Sequence, residues 1–381
     1  MVSPVRVRAA RVLTAEGWLD HATVAINAEG KIEAIDYGEC DLDLEDAWLM
    51  PALVDSHVHG AMGLDTMDAN HDALDGIACY LARHGVGAFA PTTVTAQPDA
   101  IEAALVQIRE SKRTGTRGAE IVGAYLEGPY FTAKCCGAHP VPLMRPISVQ
   151  ELSHWYALSE GALNTVALAA ELPGADAAIQ WLQARGVRTL IGHSDASYDE
   201  TTHALHAGAA GVVHCYNGMR GLHHRDPGVV GAGFDHRGAH IELIADGHHV
   251  HPAAARIALT CAGEAHLILI SDAMRAAGMP DGQYALGTMT VTVTDGVART
   301  DVGGLAGSTL NLLDAVRYAM QWFELPLERV WALASRNPAL ALRRPDLGVL
   351  APGQTASMVA LAPHLEGVRR TWVAGRLVHS S

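Results

Sequence analysis

Eight short apolar runs recur through the middle of this chain, separated by helical patterns or long connections. They lie at residues 50–54, 87–94, 121–126, 164–169, 188–191, 211–213, 240–245 and 266–271. Between them, residues 99–111, 175–185 and 198–207 repeat their apolar positions with the period of a helix. Near-continuous apolar runs suit parallel strands covered on both faces, and each parallel pairing needs a crossover. Eight such units predict an α/β chain closed as a (β/α)8 TIM-like barrel. An open doubly wound sheet is the alternative, but no Gly-x-Gly-x-x-Gly follows a strand-like run.

The two ends of the chain read differently. Residues 5–12, 21–26 and 31–35 are β-rich, with Glu29-Gly30 as a turn, and residues 357–361 and 369–378 repeat that character. Strands at opposite termini can share sheets, so residues 1–50 and 345–381 are expected to form a small β-sandwich domain. Residues 51–344 would be the inserted barrel. Late in that insertion, residues 289–300 read as a hairpin about Asp295-Gly296, followed by helical segments at 308–323 and 327–335.

Charge narrows the partners. The formal net charge is −14 over 381 residues, so no basic surplus exists to displace counterions from nucleic acid or to hold an anionic membrane. Arg6, Arg8 and Arg11 are not followed by an apolar stretch, which argues against a secretory signal. The longest stretch without Asp, Glu, Lys or Arg, residues 201–219, is broken by histidines and polar residues and does not read as a membrane span. Six cysteines, Cys135 and Cys136 among them, show no Cys-x-x-Cys spacing, which fits reduced thiols and a cytoplasmic location.

The residues that could carry chemistry cluster at the ends of the predicted strands. Asp55-Ser-His57-Val-His59 closes the first, and residues two apart on a strand face the same way, so His57 and His59 can present two imidazoles to one ion. Glu127 closes the third run ahead of Gly-Pro, His193 the fifth, His214 the sixth and Asp272 the eighth. In a (β/α)8 barrel the C-terminal ends of the strands carry the active site. Metal-capable or carboxylate side chains at five strand ends predict a divalent metal centre of His57, His59, Glu127, His193 and His214, with Asp272 as the proton-transfer carboxylate beside it.

These stretches resemble the amidohydrolase superfamily, and most closely its N-acetylglucosamine-6-phosphate deacetylases. The resemblance rests on Asp-Ser-His-Val-His-Gly (55–60), Leu-Glu-Gly-Pro (126–129), Gly-Ala-His-Pro (137–140), Gly-His-Ser-Asp-Ala-Ser-Tyr (192–198) and His-Cys-Tyr-Asn-Gly-Met (214–219). It continues through Ile-Ala-Asp-Gly-His-His-Val (244–250), Ser-Asp-Ala (271–273) and Leu-Ala-Gly-Ser (305–308). Cyclic amidohydrolases of the same superfamily bridge two metals with a carbamylated lysine on the fourth strand. The fourth run here has no lysine, and the chain holds only Lys31, Lys112 and Lys134. That favours the deacetylase branch, with Glu127 as the available carboxylate.

The resemblance implies hydrolysis of the acetamide of an N-acetylhexosamine 6-phosphate, giving acetate and the amino sugar phosphate. It implies one or two ions, with zinc expected ahead of iron, cobalt or manganese: Glu127, His193 and His214 as the common core, and a second ion at His57 and His59. His249 would polarise the carbonyl. Arg225, Asn217 and Gly218 would bind the phosphate, and Ala138, His139, Leu305, Ala306 and Gly307 would line the sugar. A homodimer is implied in the same way. The galactosamine epimer, another N-acyl substrate, a cyclic amide hydrolase or a dipeptidase are the alternatives. A non-catalytic scaffold barrel is disfavoured because all six metal and catalytic positions are intact.

Overall fold

The computed structural model describes residues 2–381, and eight parallel strands form its centre. They are β1 (Leu53–Val58), β2 (Val86–Pro91), β3 (Ala124–Glu127), β4 (Leu163–Leu168), β5 (Arg188–Ile191), β6 (Gly211–Val212), β7 (His240–Ile244) and β8 (Leu267–Ile270). β3 to β8 pair in sequence order, and β1 pairs with β2. Two seams close the ring. Thr93 N–H donates to Tyr125 O at 2.9 Å between β2 and β3, and Asp272 N–H donates to His57 O at 3.0 Å between β8 and β1.

A helix follows every strand: α1 (His71–Arg83), α2 (Pro98–Thr114), α3 (Val149–Leu158), α4 (Ala175–Gln183), α5 (Tyr198–Ala207), α6 (Gly228–Asp235), α7 (Pro252–Ala262) and α8 (Leu312–Trp322). Local chemistry marks their starts. Asn70 accepts from Ala73 N–H ahead of α1, Ser197 and Glu200 form a reciprocal capping box on α5, and α2 and α7 open on proline. Outward strand residues such as Phe89, Leu126, Leu168 and Ile241 meet Ile77, Leu105 and Ile179 of the helices in one fully buried core.

Two further sheets stand outside the barrel, the first from N-terminal strands alone and the second from both ends of the chain. One holds Val5–Arg8, Thr23–Ile26, Ile32–Asp36 and Leu42–Asp43; the other holds Arg11–Thr14, Gly17–Asp20, Trp48–Pro51, Met358–Leu361, Val368–Val373 and Arg376–Ser380. Val7, Val24, Ile32, Leu49, Met358 and Trp372 fill the space between them. The run expected at 5–12 is therefore two strands in different sheets. The run expected at 50–54 is a junction: Met50 pairs with Val359 in the terminal sheet, and the barrel strand starts at Leu53. Unbroken apolarity from Leu49 to Val54 hides that break, because periodicity cannot divide a segment buried on both sides.

The expected hairpin pairs Met289–Thr294 with Val297–Thr300 about Asp295 and Gly296, both at positive φ. A third strand, Gly282–Leu286, widens it. Among the described residues no helix is long and apolar enough to cross a membrane.

Candidate metal centre and substrate pocket

Six predicted side chains meet at the C-terminal mouth of the barrel, each no more than 6% exposed: His57, His59, Glu127, His193, His214 and Asp272. Glu127 stands in the middle. Its Oε1 lies 3.5 Å from His57 Nε2, 3.4 Å from His193 Nε2 and 3.1 Å from His214 Nε2, and its Oε2 lies 3.1 Å from His59 Nε2. Asp272 Oδ1 lies 3.4 Å from His57 Nε2 and 3.2 Å from His59 Nε2.

Local backbone geometry turns the last three inward. His193, His214 and Asp272 each stand two residues beyond a strand end with positive φ, at 48°, 21° and 49°. Histidine and aspartate visit that left-handed region more readily than most side chains, at some cost. Space around His193 is made by Gly218, at φ +58, where a Cβ would come within 2.9 Å of His193 Nδ1.

The outer nitrogens settle what the inner ones are. His57 Nδ1 faces Glu242 Oε2 at 3.5 Å, His59 Nδ1 faces Thr92 O at 3.2 Å, His193 Nδ1 faces Cys135 O at 3.0 Å and His214 Nδ1 faces Asn217 O at 3.1 Å. Each of these oxygens can only accept, so each Nδ1 carries a proton, and a ring with no second proton aims an Nε2 lone pair at the centre. Yet His193 and His214 Nε2 stand 3.1 Å apart, His57 and His59 Nε2 stand 3.3 Å apart, and Asp272 Oδ1 accepts no hydrogen bond. Lone pairs crowded together in a buried site repel unless a cation sits between them. Nitrogen and carboxylate oxygen donors in this arrangement fit a divalent transition-metal ion.

Protons can satisfy the same surplus of negative charge. Burial opposes it, but Glu127 and Asp272 hold His57 well above its ordinary pKa and His59 up at about 9. His193 goes the other way, down to about 4, through burial and the neighbouring His139 and His214. Burial would raise the Asp272 carboxyl, but His57, His59 and His214 outweigh it and hold it at about 2. Asp272 is thus held as a carboxylate beside the centre.

His139 plays a different part. Thr95 N–H donates to its Nδ1 at 3.2 Å, which leaves the neutral ring's proton on Nε2, 3.4 Å from Glu127 Oε2. In that tautomer it faces the central carboxylate as a donor, while with Glu127 and His193 it also forms a second group at metal-holding spacing.

Above the cluster opens a cavity of about 240 Å³, lined by Gly137, Ala138, His139, Asn217, Gly218, His249, Leu305 and Gly307 together with His59, Glu127, His193, His214 and Asp272. The Asp246 carboxylate accepts from His249 Nδ1 at 2.6 Å and fixes that ring. Two expected residues stand apart from the lining. Ala306 is fully buried among Met274, Val291 and Val293, so only its neighbours border the cavity. Arg225 lies on the loop beyond Gly218, with Nη1 2.7 Å from His224 Nε2 at an exposed position. Sequence reading missed Glu242, Thr92 and Thr95, and held Asp246 only as part of the 244–250 motif. A glutamate alternating with His240 inside the apolar β7 was the available signal for the first.

The model of the Amidohydrolase family matches residues 48–378. An N-acetylglucosamine-6-phosphate deacetylase from Vibrio furnissii is 52% identical over 97% of this chain and 94% of its own length. An N-acetylgalactosamine-6-phosphate deacetylase from Escherichia coli O157:H7 is 48% identical over 97% of this chain and 98% of its own. Among solved structures, an N-acetyl-D-glucosamine-6-phosphate deacetylase variant from Mycobacterium smegmatis, in complex with N-acetyl-D-glucosamine-6-phosphate, superposes with a TM-score of 0.93. It is 34% identical, over 99% of this chain and all of that one.

Proposed function

Because the chain belongs to the amidohydrolase family, we propose that the barrel mouth hydrolyses the acetamide of an N-acetylhexosamine 6-phosphate to acetate and the amino sugar phosphate. The observation that carries this reading is the convergence of four Nε2 lone pairs and two carboxylates beneath a cavity with Asp272 on its floor. Glu127, His193 and His214 would hold one ion, and His57, His59 and Glu127 a second. Zinc suits the donor set, with iron, cobalt or manganese as substitutes. A cation there would supply Lewis acidity, bringing the pKa of a water down to roughly 7.

The chain's own residues do the rest. Asp272, ionised and buried, takes the proton as water adds to the acyl carbon. His249, fixed by Asp246, polarises the carbonyl oxygen on which charge develops. Asp272 then returns the proton to the amine nitrogen, so the C–N bond breaks to a neutral leaving group. Asn217, Gly218 and Arg225 supply donors for the phosphate, which an acidic protein must otherwise repel. Ala138, His139, Leu305, Ala306 and Gly307 would shape the sugar site. A homodimer is carried over from the resemblance, and a cytoplasmic location from the cysteine spacing.

Acetate release from a panel of N-acetyl amino sugars, with and without a 6-phosphate, tests the reading alongside metal analysis. The phosphorylated glucosamine form is expected to be the best substrate. The relative at 48% identity makes the galactosamine form the second reading, and the ratio of kcat/KM between the epimers decides. Turnover that ignores the phosphate would remove Arg225 from the account.

A further inference from the structure

Below the donor cluster, and reaching it through His57, lies a charged layer whose other members have no part in the chemistry above. Alternate strands of a (β/α)8 barrel share a layer of inward side chains, ordinarily branched and apolar. Here the odd-numbered strands β1, β3, β5 and β7 contribute His57, Tyr125, Arg188 and Glu242. Arg188 Nη2 meets Glu242 Oε1 at 2.6 Å, Glu242 Oε2 lies 3.5 Å from His57 Nδ1, and the His57 and Tyr125 rings stand 4.6 Å apart. Glu242 and Tyr125 are fully buried, and Arg188 is 6% exposed.

A buried ion pair is often no more stabilising than an apolar pair of the same volume, so stability is a poor reason to place one here. The support behind the four histidines is uneven in a way that suggests another. His59, His193 and His214 are held by backbone carbonyls, whereas His57 leans on a side chain. Without an acceptor at Nδ1, a neutral imidazole can carry its proton on Nε2 and offer a cation nothing. A carboxylate behind the ring fixes the proton outward and makes Nε2 a stronger donor. Arg188 holds that carboxylate in place.

We propose that Glu242, anchored by Arg188, is a positioning residue that presents His57 Nε2 to an ion, so that the pair sets occupancy of the His57–His59 half of the centre independently of the Glu127–His193–His214 half. This rests on the metal reading above. Calorimetric titration of chelator-stripped, full-length chain with Zn²⁺ tests it. Wild type should show two binding events, and Glu242→Gln should weaken one of them about 10- to 100-fold while leaving the other unchanged. In a His57→Asn background Glu242→Gln should add nothing further, which a merely structural role would not produce.

Weakening of both events together, weakening of neither, a single event in wild type, or full additivity with His57→Asn would overturn the assignment. A wild type that takes up no ion would instead sink the metal reading itself. Should Glu242→Gln fail to fold, Glu242→Gln with Arg188→Met removes both buried charges and allows the same comparison.

Discussion

The two halves of the proposed site are held in opposite ways. Around the metal position, six side chains from five strand ends are almost wholly buried, and each imidazole is gripped from behind at Nδ1. Around the proposed phosphate position, Asn217, Gly218 and Arg225 share one loop, and Arg225 stands exposed against His224. Rotamers fixed by packing keep reacting groups in place before substrate arrives. A solvent-facing guanidinium is screened by salt and free to adjust. On the proposed function, that contrast would place turnover in the scaffold and affinity in the loop.

The hardest blow to that contrast is removal of the ion. Stripping with a chelator should lower acetate release by at least about 10³-fold. Activity should return with added divalent ion, and the far-ultraviolet circular dichroism should stay unchanged, because the barrel core does not depend on the donors. Next comes Asp272→Asn, which should cut kcat by about 10²- to 10⁴-fold with little change in KM. Arg225→Ala should do the reverse, raising KM about 10- to 100-fold at nearly constant kcat, the worth of a lost charge-assisted hydrogen bond. A fall in kcat for Arg225→Ala would merge the two halves into one.

Two smaller effects sharpen the boundary. Gly218 belongs to both halves, so Gly218→Ala, which places a Cβ against the His193 ring at positive φ, should lower stability by about 1 kcal/mol. It should also weaken metal binding and raise KM together. Asp346, remote from both halves, is the control. Hydrogen bonds from Arg344 lead the causes that hold its carboxyl at about 2, with Thr355 adding to them. A depressed native pKa means the unfolded chain binds more protons between roughly pH 4 and 2, so this stabilisation is complete above that window and lost below it. Acid unfolding of Asp346→Asn should lack that arm, with turnover at neutral pH unaltered.

The metal half was readable because Glu127, His193, His214 and Asp272 follow an apolar run by one or two residues and His57 and His59 by three and five, positions that have meaning only if the runs are barrel strands. The supports behind the donors were not readable. Thr92, Cys135 and Asn217 act through backbone carbonyls, whose identity leaves no mark in a sequence. Glu242 did leave a mark, an acid inside an apolar strand, but its partner Arg188 is 54 positions away. Boundaries failed where burial is continuous, as at Met50 to Val54. The surroundings of Arg225 and Ala306 depend on loop paths that local pattern does not determine.

His193, His214 and Asp272 all bend through the left-handed region, and this sets evolution of thermal resistance against evolution of catalysis. Glycine at any of the three would relieve roughly 1 kcal/mol of backbone strain and erase a donor or the base. A selection that rewards only heat tolerance would therefore find improvements where chemistry happens and discard the enzyme to obtain them. Any programme to harden this protein must leave those three bends alone and look to its periphery.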